Sequence, residues 1–190
     1  MGVTERKNRS KAEREGRIRA AARMIAATEG WSAVTIRRLA EEIEYSQPVV
    51  YSHFANRDAI VEAVATEGFS ELARALTTAT QPNTDRRLAL RKAAHAYLGF
   101  AFEQPALYQA MFTMPIRLRF AEGDTKPELR AGFAALAGVV TPSGSHDEVA
   151  AETFWAALHG LVELEVSGRI RHSARDERVA LLVDRFFLSG

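Results

Sequence analysis

The chain has 190 residues, 47% of them hydrophobic, with only 12 Gly and 6 Pro, a composition typical of a globular protein with a sizeable core. It has no cysteine, which excludes disulfides, thiolate metal sites and cysteine nucleophiles. It also lacks a run of about 18 uncharged apolar residues and an N-terminal apolar core. These features predict a cytoplasmic protein with no membrane partner. The formal net charge is +1, yet residues 61–190 carry 14 basic and 16 acidic side chains, so this part would repel a polyanion.

The N-terminal segment is basic. Residues 1–23 contain eight Lys or Arg and three Glu. Taken alone, such a segment is either a solvated tail or an arm that contacts the phosphates of a nucleic acid; next to the helix-turn-helix pattern described below, it is interpreted as a phosphate-contacting arm. A first helix is predicted from near Lys11 to Glu29, because apolar residues recur at helical spacing and Gly30 is a stop signal. Its inward face is predicted to contain Ile18, Ala21, Ala22 and Ile25.

Two short helices separated by one tight turn are predicted between Thr35 and Phe54. Thr35 is placed to N-cap the first of them, because its hydroxyl precedes apolar residues at helical spacing. Those residues are Ile36, Leu39, Ala40 and Ile43, and the opposite face carries Arg37, Arg38, Glu41 and Glu42.

The second helix begins at a second capping residue, Ser46. Pro48 falls in its first turn, where the missing N–H costs little. Val50 and Phe54 are four residues apart and are predicted to pack inward, which leaves Gln47, Val49, Tyr51 and His53 for the outer surface. The pair is a helix-turn-helix pattern, in which the second helix enters the major groove while its neighbour crosses the backbone.

The stretch from Arg17 to Val64 resembles the DNA-binding domain of TetR-family transcriptional regulators, whose recognition helix ends in a Y-x-H-F-like pattern before a long connecting helix. Here that region reads YSHFANRDAIVEAV. Two departures are Glu44, where the family often has Gly in the turn, and Pro48, where a small residue is common. A left-handed Glu44 would cost about 1 kcal/mol.

The outer face and the resemblance together predict the DNA contacts. Gln47, Val49 and Pro48 are expected at base edges. The resemblance places four further residues at phosphates, because hydroxyl, imidazole and guanidinium groups suit phosphate oxygens. These are Thr35, Tyr51, His53 and Arg57, and Arg37 completes the predicted DNA-binding set.

The rest of the chain predicts helices and no strand, so the fold class is all-α. The predicted domains are residues 1–55, a basic arm with the helix-turn-helix, and residues 56–190, a ligand-binding and dimerisation domain. The later helices are predicted from Asn56 to before Pro82, from Asp85 to near Pro105, a short one after Pro105, Pro127 to near Val140, Asp147–Ser167 and Asp176–Leu188, with Thr113–Lys126 and TPSGSHDE irregular.

Phe154–Ile170 resembles the penultimate helix of one TetR subfamily, marked by a Trp, a His and a Gly that here are Trp155, His159 and Gly160. Gly inside a helix costs about 1 kcal/mol relative to Ala, so Gly160 indicates a close helix approach such as a subunit crossing. Trp155 and His159 share a face. They either fill the core or line a ligand cavity.

Large side chains around the middle helices predict a cavity for a mostly apolar small ligand, and the alternative is a well-packed core. The predicted lining is Tyr97, Phe100, Met111, Phe112, Trp155 and His159. The last two helices are predicted to form a homodimer, because their apolar side chains exceed what a small core needs. Among these side chains are Phe154, Leu164, Val166, Val179, Leu182, Val183, Phe186 and Phe187.

Motifs of enzymes and metal sites are absent from the sequence. None of the five His follows a Glu by three residues, and there is no H-x-x-x-H, P-loop, dinucleotide fingerprint or G-x-S-x-G. We therefore expect no enzyme activity, metal or cofactor. The prediction is a TetR-like regulator, a repressor that binds double-stranded operator DNA as a homodimer and is released by a small-molecule effector. The alternatives are a regulator without such an effector, an activator, or a helical adaptor or enzyme that keeps the motif as scaffold.

Overall fold

A computed structural model describes residues 2–80, 85–115, 126–141 and 148–188. Over these ranges the chain is helical with no strand, which confirms the all-α prediction. The helices are α1 (Val3–Glu29), α2 (Ile36–Glu42), α3 (Gln47–His53), α4 (Arg57–Ala79), α5 (Arg86–Glu103), α6 (Pro105–Phe112), α7 (Pro127–Val140), α8 (Glu148–Val166) and α9 (Arg175–Leu188), with 3₁₀ turns at Trp31–Ala33 and His172–Ala174. Most of the predicted irregular segments, residues 116–125 and 142–147, lie outside the described residues.

Helix α1 begins at Val3, eight residues before the predicted start at Lys11. The side chains from Thr4 to Arg9 are exposed, so these residues show no apolar periodicity. The sequence therefore gave no signal that the helix begins before Lys11. The added turns begin with a local bond, from the N–H of Gly2 to Glu5 Oε2 at 2.9 Å. Exposed straight-chain residues then continue the helix, because they lose little side-chain freedom in it.

Helix capping follows the sequence closely. Thr35 Oγ1 accepts a hydrogen bond from the N–H of Arg38 at 3.1 Å, as predicted for the cap of α2. Asn56 Oδ1 accepts from the N–H of Ala59 at 2.9 Å and so caps α4. Ser46 occupies the N-cap position of α3, but its side chain makes no capping bond, which corrects the predicted role of its oxygen.

The turn between α2 and α3 has a left-handed residue. Glu44 has φ 56°, the conformation that a Gly would adopt at lower cost. We therefore expect Glu44→Gly to raise the free energy of unfolding by up to about 1 kcal/mol, less the entropy that Gly gains in the unfolded chain. Urea denaturation of the variant and the parent measures this. Glu42→Gly, at the last residue of α2, is the control and should destabilise, because it also removes the bond from Arg38. A destabilised Glu44→Gly would contradict the expectation.

The described residues divide into two units. Unit 1 contains those of Met1–Gly68 and Gln104–Arg119, and unit 2 contains those of Phe69–Glu103 and Phe120–Gly190. Unit 1 therefore combines the helix-turn-helix with α6. The domain boundary predicted after residue 55 remains a prediction.

Helix α6 packs on α1 within unit 1. Trp31 Nε1 donates a hydrogen bond to the carbonyl of Ala106 at 2.7 Å, and Arg23 Nη2 donates to Gln104 Oε1 at 2.9 Å. These bonds attach the last turns of α1 and the 3₁₀ turn that follows it to the start of α6. The apolar residues predicted for the inner face of α1 are all buried.

Unit 2 is built on α5, which contacts α7, α8 and α9. Phe154, Val179 and Val183 belong to this core, with 0 to 2% of each residue exposed. They were predicted to contribute to a dimer surface, and this prediction is wrong for them, because these positions face α5 and its neighbours rather than solvent.

Candidate nucleic-acid interface

Helix α3 has one buried face and one exposed face. Val50 and Phe54 are buried, and they hold the helix against unit 1. Gln47 and Pro48 are exposed, Val49 is partly exposed, and Tyr51 is 53% exposed. The structure therefore brings these four predicted residues to the surface at the start and middle of α3. A polar amide and a phenol beside small apolar groups can donate to, accept from and pack against DNA edges.

His53 is not on that surface, which corrects its predicted placement. Its side chain is only 6% exposed, and its Nδ1 lies 3.5 Å from Glu15 Oε1 on α1. The reason is helical spacing: His53 follows the buried Val50 by three residues and so shares its inward face. The buried His53 ring is therefore not positioned to make the predicted phosphate contact.

Arg57 is bound to the backbone of its own unit. Its Nε donates to the carbonyl of Val34 at 2.9 Å, and its Nη2 donates to the carbonyl of Trp31 at 2.7 Å. Arg57 therefore holds the 3₁₀ turn that precedes Thr35, and its predicted direct phosphate contact would have to compete with these bonds. No local sequence signal indicates this role, because the carbonyls lie more than twenty residues earlier in the chain.

The start of α2 is open to a ligand. Thr35 is exposed, and its hydroxyl oxygen accepts the capping bond, so its proton remains available to a phosphate oxygen. Arg37 is exposed and donates to Glu41 Oε1 at 2.8 Å; the hydrogen bond and charge of Glu41 raise its pKa. Both predicted residues therefore lie on the surface.

Two arginine contacts that sequence reasoning missed fix the geometry around α3. Arg17 on α1 donates to the hydroxyl of Tyr45 at 2.9 Å, and its guanidinium lies 4.9 Å from the centre of that ring. Arg38 on α2 donates to Glu29 Oε1 at 2.8 Å, at the end of α1. The turn before α3 and the body of α2 are thereby attached to different levels of α1. The sequence gives no local signal of these contacts, because the partners are 28 and 9 residues apart in the chain.

The residues predicted to line a ligand cavity fall into both units. In unit 2, Trp155 Nε1 donates to the hydroxyl of the buried Tyr97 at 3.0 Å, and the ring of Trp155 lies 6.2 Å from that of Phe133. Phe100 is buried in the same unit. Burial lowers the pKa of His159, so its ring is neutral near neutral pH. Tyr97, Trp155 and Phe133 thus form an aromatic group, and Phe100 and His159 lie in the same unit.

Met111 and Phe112 belong to unit 1. Met111 is buried against Gly68, since a Cβ added to that glycine would lie 2.5 Å from Met111 Sδ. Phe112 packs on Tyr108, with ring centres 4.6 Å apart. For these two residues the contacts favour the packed-core alternative over a ligand lining.

Two further features concern membranes and metals. Among the described helices, none combines the length and apolarity needed to cross a bilayer. Within the same residues, no three His, Asp or Glu side chains converge as metal ligands do.

Two family models match the chain. The model described as "Bacterial regulatory proteins, tetR family" matches residues 18–64, and the "Tetracyclin repressor-like, C-terminal domain" model matches residues 90–186. A curated relative, an uncharacterised HTH-type transcriptional regulator of Mycobacterium tuberculosis, is 30% identical over 149 residues, covering 74% of this chain and 64% of its own. The HTH-type transcriptional activator FasR of Mycolicibacterium smegmatis is 29% identical over 100 residues, covering 53% and 46%. The matches thus span between about half and two thirds of these relatives.

Solved structures share the fold. A Rhodococcus sp. RHA1 protein of unknown function has a TM-score of 0.74 at 24% identity and covers 92% of this chain and 94% of its own. A TetR variant from Acinetobacter baumannii in complex with minocycline has a TM-score of 0.68 at 20% identity, covering 90% and 95%.

Proposed function

This chain belongs to the TetR family of bacterial regulatory proteins, and we propose that it is a repressor that binds a pseudo-palindromic operator as a homodimer and is released by a small, mostly apolar ligand. The carrying observation is the exposed outer face of α3 above the buried Val50 and Phe54. A short helix held in this way places its N-terminal side chains at base edges in the major groove.

The contacts divide into two classes. Gln47 reads a base edge, because its amide both donates and accepts, and Val49 with Pro48 offers apolar contact to a thymine methyl group. Thr35 and Tyr51 contact phosphates through their hydroxyls and so set the orientation without reading sequence. Arg57 fixes the backbone that precedes Thr35, by donating to the carbonyls of Trp31 and Val34.

Two variants of exposed residues test the division into base contacts and phosphate contacts. Their binding is measured on operator DNA that the parent protein has selected from random fragments. Gln47→Ala is expected to relax specificity at one operator position by about 1 to 3 kcal/mol. Tyr51→Phe is expected to weaken binding to all sequences alike and to leave the salt slope unchanged, because the lost hydroxyl carries no charge and displaces no counterion. Gel shifts at several salt concentrations measure both. Equal behaviour of the two variants and the parent would contradict the assignment.

Dimerisation is supported by apolar side chains left exposed on the last two helices. These are Val149, Leu164 and Val166 on α8, with Leu181 and Phe187 on α9. Gly160 on α8 has no atom within 4 Å of an added Cβ, which leaves room for a second helix. Two-fold symmetry would separate the recognition helices by about 34 Å, one turn of DNA.

Release by a ligand is supported by the aromatic group of unit 2, in which Tyr97 and Trp155 are joined and His159 is neutral. A ligand releases the operator only if it binds the DNA-incompetent conformation more tightly. The chain has two Trp, so Trp31→Phe leaves Trp155 as sole reporter. Titrating minocycline and medium-chain fatty acids as probes, we expect any compound that releases the operator to change the fluorescence of Trp155. Release without that change would place the ligand elsewhere.

Activation is the second candidate, because one relative of known role is a transcriptional activator. The DNA contacts would be the same, and only the position of the operator relative to the promoter would differ. Transcription from the selected operator in a reporter decides between the two roles. A protein that selects no DNA would leave the scaffold alternative.

A further inference from the structure

The start of α1 extends beyond the helix-turn-helix. Glu15 of α1 lies at the end of α3, beside His53, and Arg17 of α1 donates to Tyr45, just before α3. Helix α3 therefore crosses α1 at residues 15–17. The preceding residues, Val3–Arg14, which we call the α1 extension, continue past this crossing for about 18 Å.

One face of the α1 extension is cationic. Lys7, Lys11 and Arg14 are exposed and follow one another at spacings of four and three residues, which places them in one row along the helix. The same spacing continues to Ile18, Ala22 and Ile25, which are buried in unit 1. Glu15, one turn after Lys11 on the same row, lies 3.5 Å from His53 of α3, so the cations lie toward the side of α1 on which α3 packs.

The remaining cations of the extension point elsewhere. Arg9 and Glu13 fall on the far side of the helix, and Arg6, three residues before Arg9, lies about 100° from Lys7 and about 140° from Lys11. Within the cationic face, Lys11 Nζ lies 3.8 Å from Glu15 Oε1, and its side chain remains 63% exposed. An exposed pair of this kind is weak and exchanges readily for a phosphate.

The order of elements along α1 indicates what this face meets. Helix α2 is attached near the other end of α1, where Arg38 pairs with Glu29, about 20 Å from the α3 crossing. Helix α2 and the α1 extension therefore flank α3 on opposite sides. A helix in the major groove has one sugar-phosphate backbone on each side, and the groove is about 12 Å wide.

We propose that the cationic face of the α1 extension, Lys7, Lys11 and Arg14, binds the operator backbone on the side of α3 opposite to α2. Along α1 these residues lie from about 3 to 14 Å beyond the crossing, which matches the distance to that backbone. The inference rests on the proposed operator binding and adds a second, sequence-independent contact to it. Lysine and arginine at phosphates supply affinity and salt dependence, and they read no bases.

Two double variants with equal charge test the proposal on operator DNA selected by the parent. Lys7→Ala with Lys11→Ala removes two charges from the cationic face, and Arg6→Ala with Arg9→Ala removes two charges that lie outside it. Alanine preserves the helix in both. For a dimer we expect the first variant to bind roughly 10 to 100 times more weakly and its salt slope to fall by up to about 3.6, or 0.9 per lost contact.

The control variant is expected to bind within about threefold of the parent at equal salt, because the two charges it removes contact no phosphate and act on the DNA only at a distance, where salt screens them. Hydroxyl-radical footprinting should show that the first variant loses protection of the sugar-phosphate backbone at the outer flank of each half-site, with base preference unchanged. Equal losses in both variants, or no loss in either, would overturn the proposal while leaving operator binding intact. A parent that selects no DNA would overturn the proposed function and this inference together.

Discussion

Replacing Leu164 and Leu181 together with glutamate is expected to give a monomer that binds its operator at least about 100-fold more weakly, because the two half-sites are then no longer engaged as one event. Both side chains are exposed in the protomer, by 41% and 60%, so their loss should not unfold it. In a dimer the same positions would bury unpaired carboxylates, which is strongly unfavourable. Light scattering reports the mass against 21.0 kDa for one chain, and gel shifts report the affinity.

Leu88→Glu is the matched control. Leu88 is 45% exposed on α5, outside the exposed apolar set of α8 and α9 that supports the dimer, and its replacement should leave mass and operator affinity unchanged. A parent that is already a monomer at micromolar concentration would refute the dimer.

Gly160 provides a second test of the same interface. In the protomer an added Cβ meets nothing within 4 Å, so helix propensity predicts that Gly160→Ala raises stability by about 1 kcal/mol. If a partner helix crosses at this residue, the same methyl group weakens the dimer instead. Measuring the unfolding of the variant over a range of protein concentrations separates the two effects.

The second large effect is expected from Glu165→Ala, which should lower the free energy of unfolding by about 3 kcal/mol. The Glu165 side chain is only 3% exposed, and Arg175, Arg178 and His172 surround it. Its Oε1 accepts from Arg175 Nε at 2.9 Å, and its Oε2 accepts from Arg178 Nη2 at 3.1 Å. Removing the carboxylate leaves these cations without their shared partner at the corner between α8 and α9.

Glu163→Ala, two residues earlier on the exposed face of α8, is the control and should change stability by no more than about 0.5 kcal/mol. Urea denaturation of both variants measures the difference. Similar stabilities for the two variants would mean that the cluster contributes little to folding.

The same carboxylate predicts a pH dependence. Burial by itself would raise the pKa of Glu165, but hydrogen bonds and charge from Arg175, with bonds from His172 and Arg178, hold the pKa below its ordinary value. The group is thus ionised in the folded chain at pH values where the unfolded chain begins to bind its proton. Its contribution is present above the unfolded pKa, about 4.3, and is lost as pH falls through the folded pKa. Glu165→Gln should lack this acid-dependent loss, and a parent and variant with the same acid profile would contradict it.

The sequence by itself determined the helices and the family. Capping residues such as Thr35 and Asn56 act on groups three residues away, and apolar spacing reports which face of a helix is buried, so both can be read locally. The resemblance to a family that often has Gly in the turn raised the left-handed conformation that Glu44 adopts. The exposed face of α3 followed from the spacing of Val50 and Phe54.

Only the tertiary structure decided which polar groups remain for DNA. Arg57 is bound to carbonyls more than twenty residues away, and Arg17 donates to Tyr45, 28 residues away. The spacing from Val50 already placed His53 on the buried face, and folding supplied its neighbour, Glu15 of α1. The full length of α1 was also hidden, because its first turns bury nothing and so carry no periodicity. Local patterns encode helix ends and buried faces, whereas the partner of a long charged side chain depends on distant segments that only folding brings within hydrogen-bond distance.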